Sequence, residues 1–168
     1  MPTDALVNVP DGVDLFLDAN IFIYAFTKRS PQCVDLLARC SRQDVFGITS
    51  HESINEITHR LMVHEAFEKN LIGKPTADKL REKPAVIRDL SNYWVQASQV
   101  FSMNLTILGT EEAVLYRAQQ VRVIYGLMTL DSVIVATMEE YGIDRIASLD
   151  TDFERVSALT VYQPTDIP

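Results

Sequence analysis

The chain has 168 residues, 47% of them hydrophobic, and a formal net charge of −8 at pH 7. This length and apolar content predict a single domain over residues 1–168 with a packed core, and they exclude a disordered chain. The negative charge argues against a protein that holds long nucleic acids by bulk electrostatic attraction, but it is compatible with carboxylates that bind cations. No apolar run is long enough to span a membrane and the N-terminus lacks the pattern of a secretory signal, so a cytoplasmic location without membrane contact is expected.

Two strand–helix units are predicted in the N-terminal part of the chain. The short apolar run at residues 13–19 predicts a buried strand, and the helical pattern after it ends at the breaker sequence of residues 28–31. The Ser-Pro pair in this breaker predicts the N-cap and first turn of a second helix, which continues to about Arg42. A second strand over residues 45–49 leads into a long helix over residues 50–69.

The segment between residues 70 and 103 has a different pattern. A turn composition is followed by a short basic stretch that Thr76 could cap, and Pro84 then predicts the start of a further helix. Trp94 and Phe101 lie on one side of this helix. Their helical spacing favours packing within the core or within this helical segment over stacking on nucleic-acid bases.

The C-terminal part again alternates strands and helices. Strands are predicted at residues 105–108, 145–150 and 159–164, and helices at residues 111–125 and 131–142. Strands joined by helices form parallel sheets with helices packed on them. The chain therefore predicts an α/β fold with a mainly parallel central sheet flanked by helices on both faces.

Four carboxylates occur at related positions in these units. Asp18 and Asp150 end predicted strands, and Asp131 begins the last long helix. Glu56 lies in the opening turns of the helix that follows the second strand. Because the carboxyl ends of parallel strands lie along one edge of a sheet, the fold is expected to bring these acids together. Such acids repel one another unless a cation balances them, and Mg²⁺ and Mn²⁺ prefer hard oxygen ligands.

Each of these acids also has an ordinary structural explanation. Asp18 and Asp131 are well placed as helix N-caps, and Asp150 lies in a turn composition. Glu56 would be a solvated helix residue, and Glu52, one turn earlier on the same face, competes with it. The interpretation as a metal site therefore depends on the set rather than on any single acid.

The ordered set carries a resemblance to a known family. It consists of Leu-Asp-Ala-Asn at residues 17–20, Glu56 six positions after Ser50, Asp131 at the start of a helix with small residues, and Ser-Leu-Asp-Thr-Asp-Phe at residues 148–153. Over residues 14–164 the chain resembles the PIN domain family, whose widest branch is the VapC-like toxin ribonucleases. Compared with compact members, residues 68–103 form a longer, helical insertion, and Ser replaces the commoner Thr at position 148.

The resemblance implies a ribonuclease that hydrolyses RNA phosphodiester bonds with one or two Mg²⁺ or Mn²⁺ ions. Four acids would be both catalytic and metal-binding: Asp18, Glu56, Asp131 and Asp150. Asn20 and Ser148 would form hydrogen bonds to the carboxylates or to waters around the ions. Asp152 is either part of this supporting set or a plain helix cap.

Binding of RNA would need cations that an acidic site does not supply. Lys28 and Arg29, just beyond the first helix, are the predicted RNA contacts. Residues 68–89 carry six basic and four acidic side chains, a balance that favours a mixed, solvated helix face over an RNA cradle. His59 and His64 are five positions apart on one helix, a poor spacing for two zinc ligands.

Partners and alternatives follow from the same resemblance. VapC-like members commonly dimerise and pair with a small antitoxin, so a homodimer and an antitoxin with a basic tail are expected. The alternatives are an RNA-processing PIN nuclease without an antitoxin and a PIN-like module that binds RNA without cutting it. A phosphatase of the haloacid dehalogenase type is disfavoured, since that chemistry uses Asp-x-Asp and position 20 is Asn.

Overall fold

The computed structural model describes residues 3–167, which form a six-stranded, all-parallel sheet with helices on both faces. The strands are β1 (Asp4–Ala5), β2 (Asp14–Leu17), β3 (Phe46–Ser50), β4 (Thr106–Leu108), β5 (Arg145–Ala147) and β6 (Thr160–Gln163). Their order across the sheet is β1-β6-β5-β2-β3-β4. The predicted α/β fold is confirmed, and β1 adds an edge strand that is too short to give a sequence pattern.

Eight α-helices flank the sheet within the described residues. They are α1 (Ala19–Phe26), α2 (Pro31–Ser41), α3 (His51–Glu68), α4 (Ala77–Arg81), α5 (Pro84–Asp89), α6 (Asn92–Ala97), α7 (Glu112–Tyr125) and α8 (Thr129–Glu140). Short 3₁₀ turns lie at Leu6–Asn8, Ser98–Ser102 and Thr151–Arg155. Across residues 3–167, no single helix is long and apolar enough to cross a membrane. α7 and α8 meet the length and composition criteria only as a pair, which is bent by 112° at its break.

The hydrophobic core lies on both sides of the sheet. Leu15 and Leu17 of β2 pack with Phe22 in a cluster that joins the sheet to α1, α2 and α3. Phe16, which points to the other side, packs with Ile146 in a second cluster that includes α7 and α8. A strand that is apolar on both faces is typical of a central parallel strand. β2, which carries Asp18 at its end, is therefore firmly held.

The helix predicted from Pro84 is interrupted in the structure. α5 ends at Asp89, and Leu90 has extended backbone angles (φ −77°, ψ 140°). α6 and a 3₁₀ turn follow, with Trp94 and Phe101 exposed and their ring centroids 6.4 Å apart. These rings therefore pack on each other within the helical segment and not in the core. We call residues 70–102 the helical arm.

A buried carboxylate on α3 holds the helical arm in place. Glu65 is 6% exposed and accepts hydrogen bonds from the backbone N–H groups of Ser91 (3.3 Å) and Tyr93 (2.8 Å). These groups lie at the start of α6, where N–H groups have no partner within the helix. The Lys69 ammonium also donates to Glu65. Burial alone would raise the pKa of Glu65, but these hydrogen bonds lower it below its usual value.

Candidate metal and active site

The predicted site residues gather at one edge of the sheet because all the strands run parallel. Asp18 directly follows β2 and Ser148 directly follows β5, and these two strands are neighbours. α8 runs back along the sheet before β5, so its first turn, which contains Asp131, begins at the same edge. α3 leaves this edge from the end of β3 and carries Glu56 in its second turn.

Asp18 is buried and is held by hydrogen bonds to both of its oxygens. Its Oδ1 accepts from the backbone N–H of Ala19 at 2.7 Å, so Asp18 is the N-cap of α1. Its Oδ2 accepts from the side-chain amide of Asn20 and from the hydroxyl of Ser148, each at 2.6 Å. The same side chain therefore serves as a helix cap and as one of the acids at this edge of the sheet. We call the edge that carries Asp18, Glu56, Asp131 and Asp150 the acidic edge.

Asn20 and Ser148 link Asp18 to the segment that carries Asp150. The Asn20 amide donates to Ser148 Oγ at 3.0 Å, and its Oδ1 accepts from the backbone N–H of Leu149 at 3.1 Å. Ser148 Oγ also accepts from the backbone N–H of Asp150 at 2.9 Å. The hydroxyl thus uses its proton for Asp18 and its lone pairs for Asn20 and Asp150. These bonds fix the position of Asp150 relative to Asp18.

Three carboxylates lie close enough to share a cation. Oxygen atoms of Asp131, Asp150 and Asp152 all lie within 4.8 Å of one another. Asp150 accepts from the backbone N–H of Asp152 at 2.8 Å, and Asp152 forms an ion pair with Arg155 at 2.8 Å. The sequence left Asp152 open between a cap and a supporting residue, and the structure places it in this cluster. Hard oxygen donors so arranged could hold Mg²⁺ or Mn²⁺.

The negative charges at this edge act on one another. Burial raises the pKa of Asp18 to about 6, and the charges of Glu56 and Asp131 add to the rise, while the hydrogen bond from Ser148 opposes it. The pKa of Asp131 is also raised, first by burial and then by neighbouring acids, of which Asp150 has the largest effect. A divalent cation would remove this electrostatic cost, so the donor set fits such an ion.

The two glutamates of α3 differ in their surroundings. The charge of Glu56 acts on Asp18 and Asp131, and its partly exposed side chain lies 3.8 Å from Arg60. Glu52 accepts a hydrogen bond from the Thr110 hydroxyl in the loop before α7. Its second oxygen, Oε2, is buried and has no hydrogen-bond partner in residues 3–167. Glu52 therefore ties α3 to this loop, whereas Glu56 is the α3 acid whose charge acts on the cluster.

The two predicted RNA contacts lie on different surfaces. Lys28 has left-handed backbone angles (φ 56°) and lines an apolar groove together with Met103. Arg29 lines a separate pocket together with Asn20, and its guanidinium carbon lies 4.8 Å from the centroid of the Tyr24 ring. Arg29 is thus near the acidic edge, while Lys28 lines the groove between α1, α2 and the helical arm.

Known proteins resemble this chain along most of its length. The family model of the PIN domain matches residues 15–159. The chain belongs to the PIN domain family. It is 34% identical over 158 residues to Ribonuclease VapC6 of Methanocaldococcus jannaschii, an alignment that covers 89% of this chain and 97% of that protein.

Solved structures share the fold of the chain. VapBC2 from Rickettsia felis, bound to a DNA fragment from its promoter, aligns with a TM-score of 0.59 and 14% identity over 89% of this chain and 98% of that chain. A toxin–antitoxin complex from Klebsiella pneumoniae aligns with a TM-score of 0.56 and 15% identity over 87% of this chain and 95% of that chain. At these identities the likeness concerns the fold alone, and it confirms the predicted PIN-like architecture.

Proposed function

We propose that the chain is a metal-dependent ribonuclease that hydrolyses RNA phosphodiester bonds and acts as the toxin of a toxin–antitoxin pair. The observation that carries the proposal is the approach of the Asp131, Asp150 and Asp152 oxygens to within 4.8 Å of one another, beside a buried Asp18. The identity of 34% to a VapC ribonuclease over almost its whole length supports RNA as the substrate.

The acids of the sheet edge would hold the metal ion. We assign Asp18, Asp131 and Asp150 as ligands of Mg²⁺ or Mn²⁺, with Glu56 as a direct or water-mediated ligand. Asp152, whose charge Arg155 partly balances, completes the acidic set. When bound, a divalent cation supplies a water of lowered pKa as the nucleophile and neutralises the charge that develops on the phosphate.

The contribution of the protein itself is to keep a buried carboxylate ionised and correctly oriented. Asn20 and Ser148 both donate hydrogen bonds to Oδ2 of Asp18, and such donors stabilise the negative charge. A carboxyl group with a pKa of about 6 is still mostly ionised at pH 7. Asn20 and Ser148 therefore position Asp18.

A cleavage assay with a matched pair of variants tests this function. The purified protein should cut single-stranded RNA in Mn²⁺ or Mg²⁺, EDTA should abolish cutting, and Asp18→Asn should remove it while the fold is kept. Asp14→Asn is the control, because Asp14 is an exposed acid at the other end of the same strand. If the protein cuts no RNA in Mn²⁺ and calorimetry detects no bound metal, the proposal is wrong.

The likeness in fold to a toxin–antitoxin complex supports the toxin part of the proposal. The net charge of −8 would suit a small antitoxin with a basic tail, and a homodimer is proposed from the family resemblance. A small reading frame next to the gene should encode a protein that co-purifies with the chain and inhibits cleavage. An active nuclease whose gene has no such neighbour would instead be an RNA-processing enzyme.

A further inference from the structure

A basic pocket lies beside the acidic edge of the sheet. It has a volume of about 510 Å³ and is enclosed by α1, α3 and the start of α4 in the helical arm. Its polar and charged lining includes Tyr24, Arg29, His59, Arg60, His64 and Thr76. Among the described residues, no acidic side chain lines it. In a chain with a net charge of −8, a lining with two arginines and no acid would favour a negatively charged ligand.

The basic pocket borders the proposed catalytic residues. Asn20 lines the pocket and donates to Asp18, and Arg60 lines it and approaches Glu56 to 3.8 Å. His59 and Arg60 also line a second depression of about 440 Å³ that contains Glu56. A strand of RNA cut at the acidic edge would therefore pass directly beside the basic pocket.

We propose that the basic pocket binds an unpaired nucleotide of the RNA, next to the phosphodiester bond that the acids cut. This inference rests on the proposed ribonuclease function and assigns the place of the nucleotide that flanks the cut. Pockets of roughly 300–1,000 Å³ hold small ligands, and one nucleotide is a ligand of that class. A pocket of about 510 Å³ between α1, α3 and the helical arm has room for one nucleotide, and unpaired bases are what proteins read in RNA.

Arg29 is prepared for a phosphate contact before RNA arrives. Its guanidinium lies over the Tyr24 ring, and its backbone N–H donates to the Tyr24 carbonyl at 2.9 Å. This contact limits the freedom of the side chain and leaves the donors at the guanidinium edge for phosphate oxygens. Little side-chain entropy would therefore be lost on binding.

Two further side chains of the pocket, Arg60 and His64, have partners on α3 that RNA could replace. Arg60 pairs with Glu56 at 3.8 Å, and His64 lies 4.0 Å from Glu68, both one turn apart on α3. The side chains of Arg60 and His64 are 62% and 44% exposed. Exposed pairs of this kind contribute little to stability. Arg60 can therefore turn from Glu56 to a phosphate without destabilising the fold.

The helical arm forms the outer wall of the basic pocket. Pro75, Thr76 and Ala77 line it opposite Val63 of α3, and the arm is fixed to α3 through Glu65. The insertion thus has a function in this proposal. It converts an open flank of α1 and α3 into an enclosed site for one nucleotide.

The proposal is tested by measuring the binding of a short, fluorescein-labelled single-stranded RNA of mixed sequence in Mn²⁺. Every protein in this experiment carries Asp18→Asn, so that the RNA is bound without being cut. Arg29→Gln should weaken binding roughly tenfold and reduce the slope of log K against log salt by about 0.7 for each phosphate that is no longer neutralised. Arg42→Gln is the control, since it removes the same charge from an exposed arginine between α2 and β3, at the opposite edge of the sheet. Its effect should stay below about twofold.

A second variant fills the basic pocket without changing its charge. Ala77→Trp should weaken binding as Arg29→Gln does, while the circular dichroism spectrum and melting temperature stay unchanged. In the otherwise wild-type enzyme, both variants should raise KM and leave kcat within about twofold. RNA annealed to its complement should bind far more weakly than the single strand.

The outcomes separate this inference from the proposed function. If the wild-type protein cuts RNA but Arg29→Gln and Ala77→Trp bind and cut like Arg42→Gln, the basic pocket is not a substrate site and the inference is overturned. Equal binding of duplex and single strand would also overturn it. If the wild-type protein neither binds metal nor cuts RNA, the proposed function itself fails.

Discussion

The two sides of the acidic edge are built in different ways. On the sheet side, Oδ2 of Asp18 receives two hydrogen bonds of 2.6 Å, and Ser148 Oγ is saturated by three partners. On the α3 side, Glu56 has only a 3.8 Å contact with the exposed Arg60. A buried network with every group satisfied is rigid, whereas an exposed ion pair is readily exchanged. The sheet side is therefore formed in advance, and the α3 side can adjust when RNA and cations bind.

The largest expected effect tests the sheet side directly. Asp18→Asn should lower the rate of RNA cleavage in Mn²⁺ about a thousandfold, because it removes a metal-binding charge. Asn can still cap α1, so the circular dichroism spectrum should be unchanged. Initial rates on a labelled RNA measure the effect. A variant with more than a tenth of the wild-type rate would show that the buried side of the site is not catalytic.

The pH dependence of stability measures the free-energy cost of burying the Asp18 carboxylate before a metal ion binds. The pKa of Asp18 rises from 3.8 to about 6 on folding, so between these values the folded chain binds a proton that the unfolded chain has released. The free energy of unfolding of the metal-free protein should therefore fall by up to about 3 kcal/mol as the pH rises from about 3 to about 7, and this contribution should be constant above about pH 7.

Urea unfolding in EDTA at several pH values measures this fall. Asp18→Asn is the reference, since it lacks the titrating group and should not show this part of the pH dependence. Mn²⁺ added at pH 7 should recover the missing stability in the wild-type protein and much less in the variant. If the free energy of unfolding varies with pH in the same way in both proteins, burial of Asp18 does not carry this free-energy cost.

A smaller effect is expected when the network is weakened but Asp18 is kept. Ser148→Ala removes a donor to Asp18 and leaves the Asn20 amide and the Asp150 N–H with one acceptor fewer, which should cost about 2 kcal/mol of stability. Activity should fall roughly tenfold to a hundredfold. Ser148→Thr keeps the hydroxyl and should retain most of the activity. If the two variants behave alike, the hydroxyl is not what positions Asp18.

The α3 side should tolerate change better. Glu56→Gln should lower activity about tenfold, since a partly exposed ligand is easier to replace than a buried one, and should leave the melting temperature almost unchanged. Glu52→Gln is the comparison, because Glu52 binds Thr110 and its second oxygen is buried. It should affect stability more than activity. A reversed pattern would assign the catalytic role to Glu52.

The site residues that lie at the ends of strands could be predicted from the sequence. An apolar run that stops at an acid defines a strand end at Asp18, and the parallel sheet then determines which edge the acid joins. Asp152 could not be placed in this way, because a turn composition is compatible with a helix cap and with a metal ligand. Its membership of the cluster became visible only from the distance to Asp131.

The helical arm shows why other features could not be predicted. Directly after the break at Leu90, the backbone N–H of Ser91 donates to Glu65, which lies 26 residues earlier in the chain. No periodicity within the segment contains that information. Likewise, Lys28 has left-handed backbone angles, and the adjacent cations Lys28 and Arg29 line different pockets. Long-range contacts and single backbone angles are the two things that a local pattern does not encode.

The sheet order also links the proposed activity to protein synthesis. The hydrogen bond between Asp18 and Ser148 joins residues 130 positions apart, and at about 5–20 residues per second the ribosome needs roughly 7–26 s to make the intervening chain. Until β5 emerges, β2 lacks one of its two neighbours, and Asp18 lacks the hydroxyl that holds it. A prematurely terminated product would contain the first acid without Asp150. The site is therefore complete only after the segment from β5 to Asp152 has been made.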